Sequence, residues 1–445
     1  MTPFVAPSLP SSADVSVGFV FVLCLLLILL VPFAGAGLAL INSGLGRSRS
    51  AAHAMVGALC VTSVAALVYV IVGFSWQGIA GRPDHGFMIA GKTWGWIASE
   101  PFFLRGLHLD LSPAALVVLL QMLSVGLAGM IPLSSGSDRW RLGAICASTA
   151  LLAGWTYPLF AHWAWGGGWL AQLGVNCGLG RGFVDGGGSG AIQVVGGVTA
   201  LSITWILGPR RGKFSAEGMP AALPGHNVVL VLLGCVFAWI GWMALNSAGA
   251  MLFLGVEPGR VVLIAINTTL CAAASGLAAA VVTRVRFGRP DASLSANGWI
   301  AGLVASSAAA AFLKPAAAII VGGVAGILVV LVADFLEFQL AIDDPGGAVS
   351  VHAVGGLWGV LSVALLADAG RGGLGAAGQW LAQLVGIATL LGFVLPLTYG
   401  LNWLLDRVYR QRVSREGEVQ GMDLFELGAG AYPEFDLHGD DLLTR

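Results

Sequence analysis

Long apolar runs, separated by short polar or charged stretches, dominate the pattern of this sequence. A helix needs about 20 mainly apolar residues to cross the hydrocarbon core of a bilayer, so each run predicts a membrane-spanning helix. The expected fold is therefore an all-α membrane protein. The pattern predicts eleven transmembrane helices, at residues 16–42, 51–76, 112–133, 142–162, 190–208, 227–252, 259–283, 296–313, 316–337, 349–368 and 379–405.

Composition agrees with this pattern. Hydrophobic residues make up 57% of the 445 positions and charged residues 10%, with a mean hydropathy of +0.86. This leaves too little polar surface for a soluble domain. The net charge of -1 excludes a basic face for nucleic acid. The six cysteines show no spacing typical of a disulfide framework or a metal site, and we expect no cofactor.

The basic residues of the loops orient the chain, because Lys and Arg accumulate on the cytoplasmic side of membrane proteins. The N-terminus is expected outside and the C-terminus inside. Short loops after odd-numbered spans carry Arg47, Arg49, Arg139, Arg141, Arg210, Arg211, Lys213, Arg284, Arg286 and Arg289. The opposite side carries Arg82, Lys92, Arg105, Arg181, Arg260, Lys314 and Arg371.

A short internal repeat relates the two halves of the chain. Gln193 begins QVVGG in the fifth span, and His352 begins HAVGG in the tenth. A weaker echo links LALINSG at 38–44 with MALNSAG at 243–249. Since each half holds five spans, the second half must cross in the opposite sense, as in the inverted repeats of many transporters. The expected membrane domain is 1–405, with spans 1–5 at about 16–208, spans 6–10 at about 227–368, span 11 at about 379–405, and a cytoplasmic tail at 406–445.

His352 is an ionisable residue in an apolar span, where it is costly unless it serves a cavity or has a partner. One interpretation places it on a solute pathway. The other makes it a neutral imidazole held by a hydrogen bond, for which the Gln193 amide is suited because it both donates and accepts. Pseudo-symmetry places the two residues opposite each other near mid-membrane, so both interpretations predict their contact.

Several long motifs, in order and over nearly the whole chain, resemble the ammonium transporter, methylammonium permease and Rhesus protein family. Gln121 in the third span supports the resemblance. The motifs are YPLFAHWAWGGGWLAQLG at 157–174, WIGWMALNSAG at 239–249 and DDPGGAVSVHAVGG at 343–356, with SDRWRL at 137–142 and a tail, QGMDLFELGAGAY, that ends at Tyr432.

The resemblance implies a homotrimer in the cell (inner) membrane, with a pore in each protomer between the two five-helix halves. Trp165 matches the family's outer-site tryptophan, whose ring face suits a small cation. His352 matches the second of the family's twin histidines. Gln121 is expected to line the pore, and Asp185 and Asn246 to be structural residues near it.

This chain departs from the family pattern along the pore. Ser124 and Leu245 fall on the two gate phenylalanines, while Leu120 and Gly249 replace an outer-site aromatic and serine. Cation capture is therefore expected to be weaker. The first twin histidine is Gln193, and because an amide does not titrate near neutral pH, a histidine-to-histidine proton relay cannot operate. Its amide is instead expected to bond one imidazole nitrogen and fix the tautomer.

The tail also departs from the family pattern. Leu427 and Ala429 replace a histidine and a glutamate, and Gly347 replaces an aspartate after the DDP motif. In the family this face couples protomers and meets PII-type regulatory proteins, so a PII-type partner stays open for this chain.

Three functions compete. The first is a pore for ammonium or methylammonium, with Trp165 recruiting the solute and Gln193 with His352 meeting its deprotonated form. The second keeps the fold but carries a larger or neutral small solute, since two phenyl rings are missing. The third is a non-transporting sensor or an enzyme. We expect no enzyme, because the midplane offers one titratable residue and no second catalytic group.

Overall fold

The computed structural model describes residues 12–82, 84–368 and 378–432. Arg371, one of the basic residues expected outside, is not among them. Within the described residues, ten helices are long and apolar enough to cross a membrane. They are α1 (Gly18–Leu45), α2 (Ser48–Gln77), α3 (Pro113–Ser135), α4 (Leu142–Cys177), α5 (Ser189–Leu207), α6 (Val228–Leu254), α7 (Pro258–Phe287), α9 (Pro315–Phe338), α10 (Val349–Leu366) and α11 (Gln379–Val408).

The segment expected to form the eighth span is where the structure departs from the predicted count of eleven. Helix α8 (Ala292–Ser306) has 15 residues, and the chain turns over the residues that follow. Other elements hold the backbone of that turn. The Asn267 amide donates to the carbonyls of Ala310 and Leu313 at 2.8 and 2.9 Å. The turn therefore satisfies its polar groups outside a helical ladder, which an apolar run in the sequence does not reveal.

Two antiparallel strands correct the expectation of an all-α protein. Strands β1 (Asp84–Ile89) and β2 (Lys92–Ala98) form a hairpin after α2. Its two turn residues, Ala90 and Gly91, both have positive φ, as a two-residue hairpin turn requires. We call the end of the helix bundle that carries this hairpin the hairpin face.

The chain after α11 packs on the opposite end of the bundle, which we call the tail face. A short helix, α12 (Arg415–Gln420), precedes a wide helical turn at Asp423–Leu427. The Asp423 carboxylate accepts from the N–H groups of Ala52 and His53 at 3.1 and 2.7 Å. Because those N–H groups begin α2 and lack helical partners, the tail caps that helix.

Helices α5 and α10 cross at closely packed glycines. A Cβ on Gly197 of α5 would lie 2.3 Å from the nitrogen of Ala353, so no side chain fits there. In return, a Cβ on Gly356 of α10 would lie 2.7 Å from the Val194 side chain. Gly197 and Gly356, like Val194 and Ala353, are 159 residues apart, the spacing of Gln193 and His352. The contact between the two spans is thus reciprocal.

Candidate functional site

The expected contact between Gln193 and His352 is present. Imidazole Nδ1 of His352 lies 2.8 Å from the amide oxygen of Gln193, and the two side chains are buried, with 0% and 5% exposure for Gln193 and His352. An amide oxygen only accepts, so Nδ1 carries the hydrogen and donates it. The neutral ring then presents its other nitrogen, Nε2, as an acceptor.

Both residues lie in π-helical turns at the beginning of their helices. These turns span Ser189–Val194 in α5 and Val349–Val354 in α10. Single π-helical turns inside α-helices occur often at functional sites, because the wider turn redirects side chains. The repeat found in the sequence therefore has a structural counterpart, which brings its two polar residues together.

The amides of Gln193 and of Gln121, another expected pore residue, keep unpartnered donors. The Gln193 Nε2 group is buried and makes no hydrogen bond in the structure. The Gln121 Nε2 group is also buried and unpartnered, while the hydroxyl of Tyr157 donates to the Gln121 oxygen. A buried donor without a partner costs about 1–3 kcal/mol. An acceptor that entered this space would recover that cost.

The hairpin side of the pair is covered by packed side chains. The Trp165 indole nitrogen donates to the carbonyl of Asp185 at 2.7 Å, and its ring stacks on Phe253, with ring centroids 4.4 Å apart at 15°. Sequence reasoning missed Phe253, although it follows Gly249 by one helical turn in α6. A second ring therefore covers one face of the Trp165 indole.

Ser124 and Leu245, the residues at the expected gate positions, are buried. Ser124 donates to the carbonyl of Leu120 at 2.8 Å, within its own helix, so its hydroxyl is already used. Leu120, Ser124 and Leu245 are all at most 1% exposed. These three positions are thus closely packed and do not border open space.

Gly249 packs against the loop before α5 and does not line an open outer site. A Cβ at this position would lie 2.4 Å from the carbonyl oxygen of Gly186. Backbone cannot yield as a flexible side chain can, so a side chain larger than that of glycine does not fit here without a shift of the loop. The glycine permits this close approach.

Asp185 holds the beginning of α5. Its carboxylate accepts N–H bonds from Gly188, Gly190 and Ala191 at 3.0, 2.9 and 2.9 Å. Burial raises the pKa of its carboxyl to about 6, although these backbone donors favour the ionised form. These contacts are the structural ones expected from the sequence.

Asp344 repeats this arrangement at the beginning of α10, which the sequence analysis did not note. It precedes His352 by eight residues, as Asp185 precedes Gln193. Its carboxylate accepts from the Ser135 hydroxyl at 2.6 Å and from the Val349 N–H at 2.8 Å. The signal was the DDP motif itself, since a carboxylate at a helix N-terminus satisfies free N–H groups.

Asn246 joins three helices. Its amide donates to the hydroxyls of Thr268 in α7 and Ser306 in α8, both at 3.0 Å. Its Oδ1 atom is buried without a partner, beside Gly187. These bonds agree with a structural role beside the site.

A narrow cleft reaches His352 from the tail face. Its polar members are Asn42, Ser134 and Asn297. Asn42 donates to the carbonyl of Met130 at 3.2 Å, and Ser134 to that of Ile131 at 3.3 Å. Its other lining residues are Leu38, Ile41, Ile300, Gly346 and Val351. The site is thus reached by polar groups from one face and covered by apolar groups on the other.

These features define a multi-pass helical membrane protein with a polar pair buried where two spans cross, an arrangement typical of membrane transporters and channels. The sequence model of the Ammonium Transporter Family matches residues 20–432. The chain belongs to this family, whose members are transporters rather than enzymes.

Individual relatives support the assignment. Ammonium transporter Amt2 of Archaeoglobus fulgidus is 33% identical over 416 residues, covering 89% of this chain and 84% of the relative. A solved structure named "Sensor Amt Protein" has a TM-score of 0.81 at 28% identity, covering 91% of this chain and 97% of its own. Saccharomyces cerevisiae Mep2 has a TM-score of 0.75 at 26% identity, covering 88% and 90%.

Proposed function

We propose that this protein conducts ammonium or methylammonium as the neutral amine, through a pore centred on Gln193 and His352. The observation that carries this proposal is the 2.8 Å bond between His352 Nδ1 and the Gln193 oxygen. This bond leaves one hydrogen-bonding group unused on each of the two side chains. The unpartnered Gln193 Nε2 group donates, and His352 Nε2 accepts.

Ammonia fits this order of groups, and ammonium does not. The lone pair of ammonia accepts from Gln193, and its N–H groups donate to His352. Ammonium has four N–H donors and no lone pair, so it cannot satisfy the Gln193 donor. Because the amide does not titrate, no proton passes from one side chain to the other. We therefore expect passage without an equivalent transfer of charge across the pair.

Entry from the hairpin face requires the covering side chains to move. Trp165 and Phe253 together form an aromatic cover, and Ser124 and Leu245 are the expected gate positions. An apolar passage of this kind favours a small neutral amine, because a hydrated metal cation loses too much solvation there.

We also propose an architecture of two inverted five-helix halves with the tail on the cytoplasmic side. The reciprocal glycine contacts of α5 and α10 and the equivalent Asp185 and Asp344 favour inverted repeats. The arginines of the tail face agree with a cytoplasmic location. Assembly as a homotrimer in the inner membrane rests on the family resemblance alone, and a PII-type partner stays open.

Transport in proteoliposomes tests this proposal. Wild-type vesicles should take up radiolabelled methylammonium faster than empty vesicles, without a matching current on a supported membrane. His352→Ala should reduce uptake by about tenfold, since it leaves Gln193 without its partner. His85→Ala, at an exposed histidine of the hairpin, is the matched control and should leave uptake unchanged. A potassium current, or equal uptake by His352→Ala, would contradict the proposal.

A larger or neutral solute is a second candidate, because a donor followed by an acceptor also fits a small amide. Uptake of formamide and urea, measured in the same vesicles beside that of methylammonium, separates the two solutes. Faster uptake of an amide than of methylammonium, lost in His352→Ala, would favour the second candidate.

A sensor is the third candidate, favoured by the covered hairpin face. The solved structure named "Sensor Amt Protein" shares this fold. Ammonium binding to the folded protein, measured calorimetrically, with no uptake of any tested solute would favour sensing.

A further inference from the structure

His162 is a buried histidine of α4 that the proposed pore does not use. Its side chain is 1% exposed, and Nδ1 donates to the carbonyl of Gln77 at 2.7 Å. The other nitrogen, Nε2, is buried and makes no hydrogen bond. It lies 4.0 Å from the carboxylate of Asp84 in β1, beyond hydrogen-bonding distance. Because a neutral ring that donates from Nδ1 keeps a lone pair on Nε2, two acceptors face each other across this gap.

A glycine in β2 makes room for the Asp84 carboxylate. A Cβ on Gly95 would lie 2.1 Å from Oδ2 of Asp84, so no side chain fits there while the carboxylate keeps this position. The side chain of Asp84 is 28% exposed, which keeps it in contact with water at the hairpin face. The hairpin thus presents a hydrated carboxylate to a buried imidazole.

The other charged groups on the elements around His162 are exposed or already bonded. Arg82 and Glu100, on either side of the hairpin, form an ion pair at 3.1 Å. Lys92 donates to a backbone carbonyl of α4, and His85 is exposed. The carboxylate of Asp185, before α5, accepts three N–H groups at the beginning of that helix. Within the described part of the chain, the carboxylate in β1 is thus the one left to face the buried ring.

His162 also supports the turn that follows Trp165. A Cβ on Gly166 would lie 2.7 Å from Nδ1 of the imidazole, and a Cβ on Gly168 would lie 2.9 Å from its Cδ2. The N–H of Gly168 donates to the carbonyl of His162 at 3.0 Å. This turn therefore folds directly onto the imidazole, which connects the hairpin to the aromatic cover.

We propose that His162 and Asp84 form a proton-operated latch that holds the hairpin against the turn next to the aromatic cover. Protonation places a hydrogen on Nε2, which then donates to the Asp84 carboxylate as a charge-assisted bond. Loss of that proton restores two facing acceptors and releases the contact. Histidine suits this task because small changes of environment move its change of charge across physiological pH.

The latch has a definite direction. The bond between Nε2 and the carboxylate exists only while the imidazole carries its second proton, so acid closes the latch and a rise in pH opens it. A closed latch restrains the turn beside Trp165, and solute entry from the hairpin face should then be slower. This effect on entry rests on the proposed function, whereas the contact itself does not.

Hydrogen exchange of the hairpin in the full-length protein tests the contact without reference to transport. In detergent micelles, peptides covering 84–98 should exchange about tenfold more slowly at about pH 5 than at about pH 8, after correction for the intrinsic rates, because a charge-assisted bond contributes at least this much. Asp84→Asn keeps the size of a partly exposed side chain, so the fold should persist while the difference disappears. His85→Ala removes the neighbouring histidine of the same strand and, as the matched control, should keep the difference. Equal pH dependence in Asp84→Asn and wild type would overturn the latch.

Methylammonium uptake tests the link to the aromatic cover. Uptake by Asp84→Asn divided by uptake by wild type, at the same pH on both sides of the vesicle membrane, is independent of how much free amine each pH provides. This ratio should be close to one in mild alkali and rise several-fold in mild acid. A ratio that does not change with pH would overturn the role of the latch in entry. Absence of uptake by wild type would contradict the proposed function, and hydrogen exchange would still decide whether the latch exists.

Discussion

Different kinds of contact surround the Gln193 and His352 pair on the hairpin face and on the tail face. On the hairpin face, the stack of Trp165 and Phe253 and the packed Leu245 cover the site. On the tail face, a cleft reaches His352 and charged groups hold the surrounding loops. Packed rings can part and close again without breaking charged contacts, whereas buried ion pairs resist opening. The difference suggests that movement belongs to the hairpin face and rigidity to the tail face.

Buried charges carry the rigidity of the tail face. Arg210 donates to both carboxylate oxygens of Asp343, at 2.9 and 3.1 Å, and to Asp138 at 3.0 Å. Burial opposes ionisation of Asp343, but Arg139 and Arg210 together hold its pKa below the usual value. The loops after α3, α5 and α9 are joined through these groups.

Breaking this cluster of buried charges should give the largest loss of stability. Asp343→Asn leaves the buried Arg210 without its main partner, so we expect a loss of about 3–5 kcal/mol in the free energy of unfolding. Reversible denaturation in detergent micelles measures it. Asp110→Asn, at an exposed position, is the control and should change little. Equal stability of the two variants would show that the cluster does not rigidify this face.

A smaller loss of stability is expected when the packing of the hairpin face is disturbed. Gly249→Ala places a methyl group against the Gly186 carbonyl, and we expect a loss of about 1–3 kcal/mol together with slower uptake. Gly126→Ala in α3 is the matched control, because a Cβ there meets nothing within 4 Å. Denaturation and methylammonium uptake report the two effects. If Gly249→Ala matched Gly126→Ala in both, the loop contact would not hold this face closed.

The smallest loss of stability is expected for a contact between the tail and the helix bundle. Glu426 accepts the N–H of Leu142 at 2.7 Å and contacts His53 at 3.0 Å. Glu426→Gln should therefore cost about 1 kcal/mol, as for loss of a helix cap.

The stability that the Glu426 carboxylate contributes should decrease at low pH. Burial opposes ionisation of Glu426, but His53, the Leu142 N–H and Arg141 hold its pKa below the usual 4.5. A lowered folded-state pKa stabilises the protein above the unfolded value, and this stability is lost as the pH falls through the folded value. The difference between wild type and Glu426→Gln should thus be full at neutral pH, decline as the pH falls below the usual 4.5, and disappear below the lowered pKa of the folded state. A constant difference would assign it to packing.

The sequence predicted most of the helices and the contact at the site, because both depend on local patterns. Apolar length identified the spans, and one repeated motif identified Gln193 and His352. What it missed depends on distant partners. The end of α8 at Ser306 is set by bonds from Asn267, and the stack of Phe253 on Trp165 joins two helices. Ser124 and Leu245 remain predicted gate positions, and their identity in the sequence did not reveal how closely the helices pack around them.

The π-helical turns of α5 and α10 make the positions of Gln193 and His352 sensitive to the loss of a single residue. Each such turn contains one residue more than an α-helical turn, so losing a single residue there would restore ordinary winding. The segment before it would rotate by about 100° relative to the glycines that follow. Gln193 would then turn away from His352 while Gly197 kept its contact with Ala353. A one-residue deletion would therefore separate the two polar side chains and leave the glycine crossing of the helices in place.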